Sequence, residues 1–495
     1  MNGNVTDDTL ALIKESLANG ETLAKTITTA SGLLAYDLQP SAKNLYPAAT
    51  PIRNVLPRVG GGTGTATNWR QVNAIIGSGW DAIGWVPEGQ RSGRMSYSTS
   101  TRSASFATIG EEDSVTFEAV SAAQGFEDVQ ATATMRLLQK MMLKEENALL
   151  GGNGSLQLGT APTPTLSASG SGATLPAATY SVIVVALTYE GYRNSTISGG
   201  VATTKSVTGA DGASFTVNGG ASAPSTNATQ AVTLGQTLSA SVTPVVGAIG
   251  YAWFVGAAGS EKLQTITTIS SVTFAAPLTS STQAASTITA DYSANPGLAF
   301  DGLLTAALKA GSGAYVNYLA TGTAGTGTPL TASGRGSVNE IDLMLQKMWD
   351  QFEVSPTVLY VNSQEQRNIT SKVLSSASAP LLRFTTDGKD PFAIVANGVV
   401  EYYYNPFALD GGYKIPVKIH PFVPPGTIIG WSENLPAQYQ SSNVPNVAEV
   451  KTRRDYYRTD WPLKTRAYEF GVYAEEVLAV YAPFAMGVIG NIANG

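Results

Sequence analysis

Apolar and polar positions divide this chain into stretches with different periods. Between Gln124 and Leu150 the apolar residues Phe126, Val129, Ala133, Leu137, Met141, Ala148 and Leu149 recur close to every 3.6 residues, which predicts one long helix of about 40 Å. Glu127 and Asp128 suit its N-terminus, Lys140 and Lys144 lie towards its C-terminus, and Gly151-Gly152 stops it. A second helix is signalled by Ser337 and Glu340 in capping-box spacing ahead of Ile341, Leu345, Met348 and Phe352. A third, SQEQRNITSKVL, has Ser363 as its candidate cap. Strand patterns run through TVLYV, VVEYYYN, KIPVKI and TIIGW, and from Val447 to Tyr481 the chain reads as paired, Tyr-rich strands. Between Pro57 and Glu118 lies a turn-rich stretch with Trp69, Trp80 and Trp85 among glycines. The alternation in MSYSTSTRSASFATI predicts a long ribbon that is polar on both faces. An isolated two-stranded ribbon is marginal in water, so this one is expected to pack against something, often another subunit.

The middle of the chain has another texture. Between Asn153 and Asn295 there are only seven charged residues, and Pro/Gly-rich segments border the block on both sides. That marks a candidate domain. Its short runs, such as TYSVIVVALTYEGYR, QAVTLGQTLSASV, GYAWFVG and LQTITTISSVTF, are rich in β-branched and aromatic residues and carry no convincing helical period. Short strands separated by turns predict an all-β sandwich of immunoglobulin-like or fibronectin-like kind, without the Cys…Trp…Cys signature of antibody domains.

Composition then removes much of enzymology. With 495 residues the chain is long enough for several domains, and it holds no Cys and a single His. Disulfides, thiol nucleophiles, iron–sulfur clusters and Cys-based zinc fingers are excluded. A Ser/His/Asp triad could use only His420, which sits in IPVKIHPFVPP and reads as an ordinary strand residue. The net charge of −6 argues against binding nucleic acid through overall charge, though not against local basic patches. No run reaches the roughly 18 apolar residues of a membrane span, and MNGNVTDDTL lacks the basic start of a signal peptide, so synthesis in a cytoplasm is expected. There is no P-loop, and Gly60 to Gly64 reads as a flexible loop. The acidic pairs Asp7-Asp8, Glu111-Glu112, Glu145-Glu146 and Glu475-Glu476 read as solvated faces, because adjacent carboxylates do not face each other across a cleft. Lys451, Arg453, Arg454, Arg458, Lys464 and Arg466, interleaved with Tyr456, Tyr457 and Trp461, could track a phosphate backbone. Glu449, Asp455 and Asp460 interrupt them, and alternation on strands or pairing across a protein interface is the simpler reading.

The order of these elements, with the phrases TPIRNVLPRVGG, NWRQV, GWVPEG, LYVNSQEQRNI, GYKIPVKIHPFVPPGTIIGWSE and YAEEVLAVYAPFAMGVIGNI, resembles the major capsid proteins of tailed bacteriophages, which have the Hong Kong 97 fold. The likeness covers about 1–150 and 296–495. It implies an α+β fold with an N-terminal arm (1–55), an extended E-loop ribbon (56–115), a peripheral (P) domain with its spine helix (116–152), a return to that domain (296–336), an axial (A) domain (337–440) and C-terminal P-domain strands (441–495). The sandwich at 153–295 would be an insertion.

The function this implies is non-enzymatic self-assembly of hexamers and pentamers into an icosahedral shell around packaged DNA. The DNA would be held on the inner face without sequence specificity, with no cofactor, no metal and no membrane. A separate scaffolding protein, a portal and decoration proteins would be the other partners. The location implied is the virion, made in the host bacterial cytoplasm. Asp81, Glu88, Arg91, Arg94 and Arg102 are candidates either for inter-subunit ion pairs or simply for keeping the ribbon soluble. Some members of that family cross-link subunits through an E-loop lysine, but no Lys occurs here between Lys43 and Lys140, so no such bond is expected. The region before the arm is also too short for a fused scaffolding domain. An encapsulin-like compartment shell and a β-rich surface adhesin or glycan-binding protein are the alternatives.

Overall fold

The computed structural model describes residues 47–80, 83–125, 127–334, 336–374, 400–408, 411–436, 439 and 446–495. Pro51 opens a short helix, Pro51–Val55, where its missing N–H is no loss. β1 (Arg58–Val59) follows. β2 (Ala66–Ile76) and β3 (Ser96–Ser105) then pair antiparallel as a two-stranded ribbon. The alternating run expected to continue this ribbon breaks at Phe106, and β4 (Ala107–Thr116) joins a different sheet. The break has a physical cause. Phe106 donates its N–H to Thr65 and closes the ribbon root, and its ring lies on Gly62, where an added Cβ would come within 2.6 Å of it.

The long helix runs from Val129 to Gly151, starting later than Gln124. A short helix, Phe117–Ala122, precedes it. Gly125 at φ +82° turns the chain between the two, and the Asp128 carboxylate accepts the Ala131 N–H as N-cap. Phe126 lies outside the described residues. Ala133, Leu137 and Met141 form the buried stripe, packed on Val115, Phe470 and Val472. At the C-terminal end the backbone at Gly302 crosses so closely that a Cβ there would stand 2.6 Å from the Ala148 carbonyl oxygen.

The charge-poor block contains β5 (Thr165–Ser169), β6 (Ala178–Leu187), β7 (Thr204–Thr208), β8 (Ser214–Asn218), β9 (Ala228–Val232), β10 (Thr237–Ser241), β11 (Gly250–Gly256), β12 (Lys262–Thr267) and β13 (Ser271–Phe274). Two antiparallel sheets, ordered β13-β10-β5 and β12-β11-β6-β9, share one core. Alternation on β11 explains how. Tyr251, Trp253 and Val255 point into that core with Leu238 and Ala240, while Ala252 and Phe254 point to the opposite face and pack with Val201, Ala285 and Ile288. Trp253 is wholly buried and donates its indole N–H to Thr267 at 2.8 Å. The run TYSVIVVALTYEGYR, read as β-rich throughout, stays a strand only to Leu187, because Thr188 caps a short helix, Tyr189–Asn194. The block is stitched to its flanks. Tyr189 donates to Asn147 on the long helix, and Asn491 accepts the Ser270 N–H at 2.7 Å.

The remainder supplies β14 (Tyr315–Tyr318), β15 (Thr328–Pro329), β16 (Val358–Val361), β17 (Tyr402–Asn405), β18 (Tyr413–Ile419), β19 (Ile428–Trp431), β20 (Ala448–Asp460), β21 (Ala467–Val480), β22 (Met486–Gly490) and β23 (Ile492–Ala493). A six-stranded sheet, β14-β22-β19-β16-β18-β17, carries the helix Asn339–Phe352. Its Ile341, Met344, Leu345 and Met348 pack with Leu359, Val361, Ile428 and Ile489. The expected capping box does not form. The helix starts two residues later than Ser337, Glu340 turns back to the Thr331 N–H, and Ser337 donates to Asp342. The helix Ser363–Leu374 is likewise served by Asn362, which accepts the Gln364 N–H, rather than by Ser363. The last sheet, β1-β20-β21-β4, brings residues near 58, 107–116 and 448–480 together beside the long helix.

Candidate functional site

Among the described residues the ribbon is anchored at its root. Trp69 packs edge-on against Tyr481 with ring centroids 5.3 Å apart, and beyond Gln71 nearly every β2 side chain is exposed. Large apolar groups concentrate there. Trp80 is 80% exposed, Trp85 91%, Ile75 67% and Tyr97 65%, and Val72, Met95, Ile83 and Val86 are exposed as well. Isolated exposed apolar residues need no explanation, but a cluster on one projecting element does.

The candidate charges behave differently from one another. Asp81 lies outside the described residues. Glu88, Arg91 and Arg94 are exposed in the loop between β2 and β3. Arg102 sits nearer the root on β3, opposite Trp69, and its Nε donates to Gln71 at 3.4 Å. Among the described residues none of Glu88, Arg91, Arg94 and Arg102 forms an ion pair within the chain.

Beside the root lies a buried charge cluster that corrects the reading of two acidic pairs. Glu145 and Glu146 are fully buried, as is Glu476, rather than solvated. Glu146 accepts the backbone N–H groups of Ile52 and Arg53 at 2.9 and 2.8 Å, and so caps the helix Pro51–Val55. Glu145 accepts from Arg53 Nε at 2.6 Å, from Arg58 and from the Tyr456 hydroxyl. Arg58 also reaches Asp455 at 2.6 Å and Glu476 at 3.0 Å. Burial works against the Arg58 charge, but the hydrogen bond to Asp455 and the Glu145 and Glu476 carboxylates outweigh it and push its pKa up. Burial and the neighbouring Glu145 push Glu476 up to about 8, against the pull of Arg58.

His420 lies just past the end of β18, fully buried. Its Nδ1 accepts the Phe422 N–H, which puts the ring proton on Nε2, and Nε2 donates to Glu146 at 2.6 Å. It is a structural hydrogen-bonding residue. One signal for the cluster was available in the sequence: the Glu pair is embedded in MMLKEENALL, where apolar residues crowd both sides.

The other acidic residues also find partners. Glu111 pairs with Lys144, and Glu112 accepts from the Tyr473 hydroxyl. Asp7-Asp8 lies outside the described residues. In the C-terminal basic run, Arg453 pairs with Glu475, Arg458 with Asp460 and Lys451 with Glu449 on strands, Arg466 in the loop before β21 pairs with Glu118 of the helix Phe117–Ala122, and Arg454 lies over the Tyr457 ring. Gly60 to Gly64 forms the loop between β1 and β2. Among the described residues no group of three or more His, Asp or Glu is arranged to hold a metal ion, and no helix is long and apolar enough to cross a membrane.

Compared with solved structures, the chain is similar over nearly its whole length to several shell proteins. The capsid of a native GTA particle shows 9% identity over 95% of this chain and 100% of that one, with a TM-score of 0.43. The capsid of Myoviridae phage XM1 shows 9% identity over 94% and 100%, at 0.39. The holo-SrpI encapsulin complex from Synechococcus elongatus shows 10% identity over 95% and 97%, also at 0.39. No described family and no curated protein matches the chain.

Proposed function

We propose that this chain is a shell-forming structural subunit, the major capsid protein of a tailed bacteriophage, which assembles through symmetric, non-covalent contacts between copies. One observation carries the reading: β2 and β3 project as a two-stranded ribbon whose large apolar side chains have no cover among the described residues. Such a ribbon is stabilised when neighbours bury it, and many modest contacts repeated round a closed shell give a stable particle. The segments implied by the sequence resemblance can be matched to elements with shifted bounds: β1 and nearly all of β4, which fall within 56–115, and β14 and β22, which fall outside 337–440, join the sheets of other segments, and most of the arm (1–55) lies outside the described residues. The ribbon corresponds to the E-loop. The long helix with the sheet β1-β20-β21-β4 corresponds to the P domain, and the six-stranded sheet with its helices to the A domain. The two-sheet block is the insertion of immunoglobulin-like type within 153–295. Shell assembly would be served by a separate scaffolding protein, a portal and decoration proteins, with DNA inside.

Electron microscopy of native particles tests the proposal. DNA-filled icosahedral shells with a small knob on each capsomer are expected. Small shells enclosing protein cargo would replace it with an encapsulin-like compartment. Monomers or fibres would overturn it.

A further inference from the structure

The six-stranded sheet ends in a face that the core leaves bare. Alternation on β17 and β18 sorts their side chains. Tyr403, Ile415 and Val417 point to the side of the helix Asn339–Phe352 and pack with Ile341 and Leu359. Tyr402, Tyr404, Lys414, Pro416 and Lys418 point to the other side. Further into the sheet that second side is core. Lys418 stands in register with Tyr360 of β16, which is buried with Ile429, Trp431 and Val488. The cover stops at β18. Tyr402 is 58% exposed and Tyr404 60%, Lys414 and Lys418 are exposed, and Pro416 is half-buried. The pairing sets their order along the face: Lys418 at one end, Tyr402 beside Pro416 in the middle, and Tyr404 beside Lys414 at the other end. The Tyr404 ring lies over Gly412, where an added Cβ would come within 2.2 Å of its hydroxyl oxygen, so this glycine leaves room for the ring. Among the described residues neither lysine forms an ion pair, and neither tyrosine hydroxyl has a hydrogen-bond partner.

We infer that this face binds the phosphate backbone of the nucleic acid that the shell encloses. The inference deepens the shell reading and rests on it. The chemistry is that of contact without sequence readout: ammonium and hydroxyl groups donate to phosphate oxygens, and no carboxylate stands among the five residues. The spacing fits. Lysines four residues apart on a strand stand about 13 Å apart, and a duplex strand carries a phosphate about every 3.4 Å of its axis, so one strand can meet both lysines at once. The sign of the charge is local, since the whole chain carries −6 and these positions carry two positive charges. The basic run at 451–466 is less available, because Lys451, Arg453, Arg458 and Arg466 are engaged by carboxylates. Two lysines make a weak site, but a shell repeats it in every copy, and an enclosed polymer meets many of them together.

Two experiments test the inference. In the first, the dissociated chain is titrated with a short random-sequence DNA duplex by fluorescence anisotropy, at salt from about 50 to 200 mM. Lys414→Gln with Lys418→Gln should weaken binding and reduce the slope of log affinity against log salt by about 1 per lysine. Lys140→Gln with Lys464→Gln removes the same charge from exposed positions elsewhere and should leave the slope unchanged. No binding by the unaltered chain, an unchanged slope in the Lys414 and Lys418 variant, or equal losses in the two double variants overturns the proposal. The second experiment uses particles. The chain contains no Cys, so Tyr402→Cys can be read with a water-soluble maleimide. Labelling in emptied particles and protection in DNA-filled ones are expected. Protection in both, by a neighbouring copy or another protein, overturns nucleic acid as the occupant, and labelling in both does the same; either result leaves the shell reading standing. Failure of the unaltered chain to form DNA-filled shells overturns both the shell reading and the enclosed nucleic acid as partner.

Discussion

Arg58 places one guanidinium among the carboxylates of Glu145, Asp455 and Glu476, and two of these are fully buried. Removing one partner from a buried ion cluster strands the others, so Arg58→Ala should cost about 3–5 kcal/mol in chemical denaturation. Stability within 0.5 kcal/mol of the unaltered chain would show that the cluster is not held this way. Glu476 sets a pH dependence. Its pKa is raised on folding, from 4.5 to about 8, by burial and by Glu145. Its contribution to stability is therefore complete below pH 4.5 and is lost as pH rises through about 8. Asp455 acts on the opposite limb. Burial opposes its charge, but the Arg58 hydrogen bond prevails and holds its pKa below 3.8, so its contribution is present above 3.8 and is lost on further acidification. Thermal unfolding should thus show Tm falling as pH rises from about 4.5 to about 8, and Glu476→Gln should flatten that fall. An unchanged slope in the variant would place the alkaline sensitivity elsewhere.

At the scale of elements, the long helix depends on its two ends. Asp128→Ala removes the acceptor of the Ala131 N–H and should cost about 1 kcal/mol. At the other end, any side chain on Gly302 would collide with the Ala148 carbonyl and the N–H groups of Gly151 and Gly152. Gly302→Ala should therefore lower Tm more than the cap variant does, and a smaller effect would mean that the crossing can open without cost. The helix itself was legible from its 3.6-residue period, since Ala133, Leu137, Met141 and Leu149 are among the residues it buries. Its start was less legible, because Gly125 and Asp128 compete with Glu127 in the same five residues. The Ser337–Glu340 pattern failed for a similar reason. Asp342 and the Thr331 backbone offered those side chains other partners, and neither was visible from local spacing.

For the whole molecule, the reading as a non-covalently assembled shell gives a simple expectation. Particles boiled in denaturant should run as one band near 51.4 kDa, and ladders would reveal cross-links that the Lys-free stretch between Lys43 and Lys140 argues against. The charge-poor block does not behave as a detachable ornament in the packing. Tyr189 and Ile249 belong to the same core as Leu149 and Leu150, and Ser270 bonds to Asn491. Excising 153–295 should therefore expose that core and yield aggregated chain. A soluble deletion chain with unchanged Tm would show that the rest folds without it.

What the residues alone determined was whatever follows from local period and composition. The absence of Cys, the long amphipathic helix and the β character of the charge-poor block are properties of neighbours in sequence, whereas the ribbon expected to be polar on both faces exposes Val72, Ile75, Ile76 and Tyr97. Tertiary structure decided which carboxylates are buried. Glu145 and Glu146 look like any surface pair until Arg53, Arg58, Tyr456 and His420 arrive from segments up to 311 residues away to satisfy them. It also decided where the ribbon ends and which of its side chains share a face. Phe106 could leave β3 only because Gly62 makes room, and Ile75 shares a face of the ribbon with Val72 only because one extra residue, Asn73, is accommodated against the partner strand. Periodicity fixes the alternation of side chains along a strand, but a bulge resets it, and the pairing that creates a bulge exists only between strands.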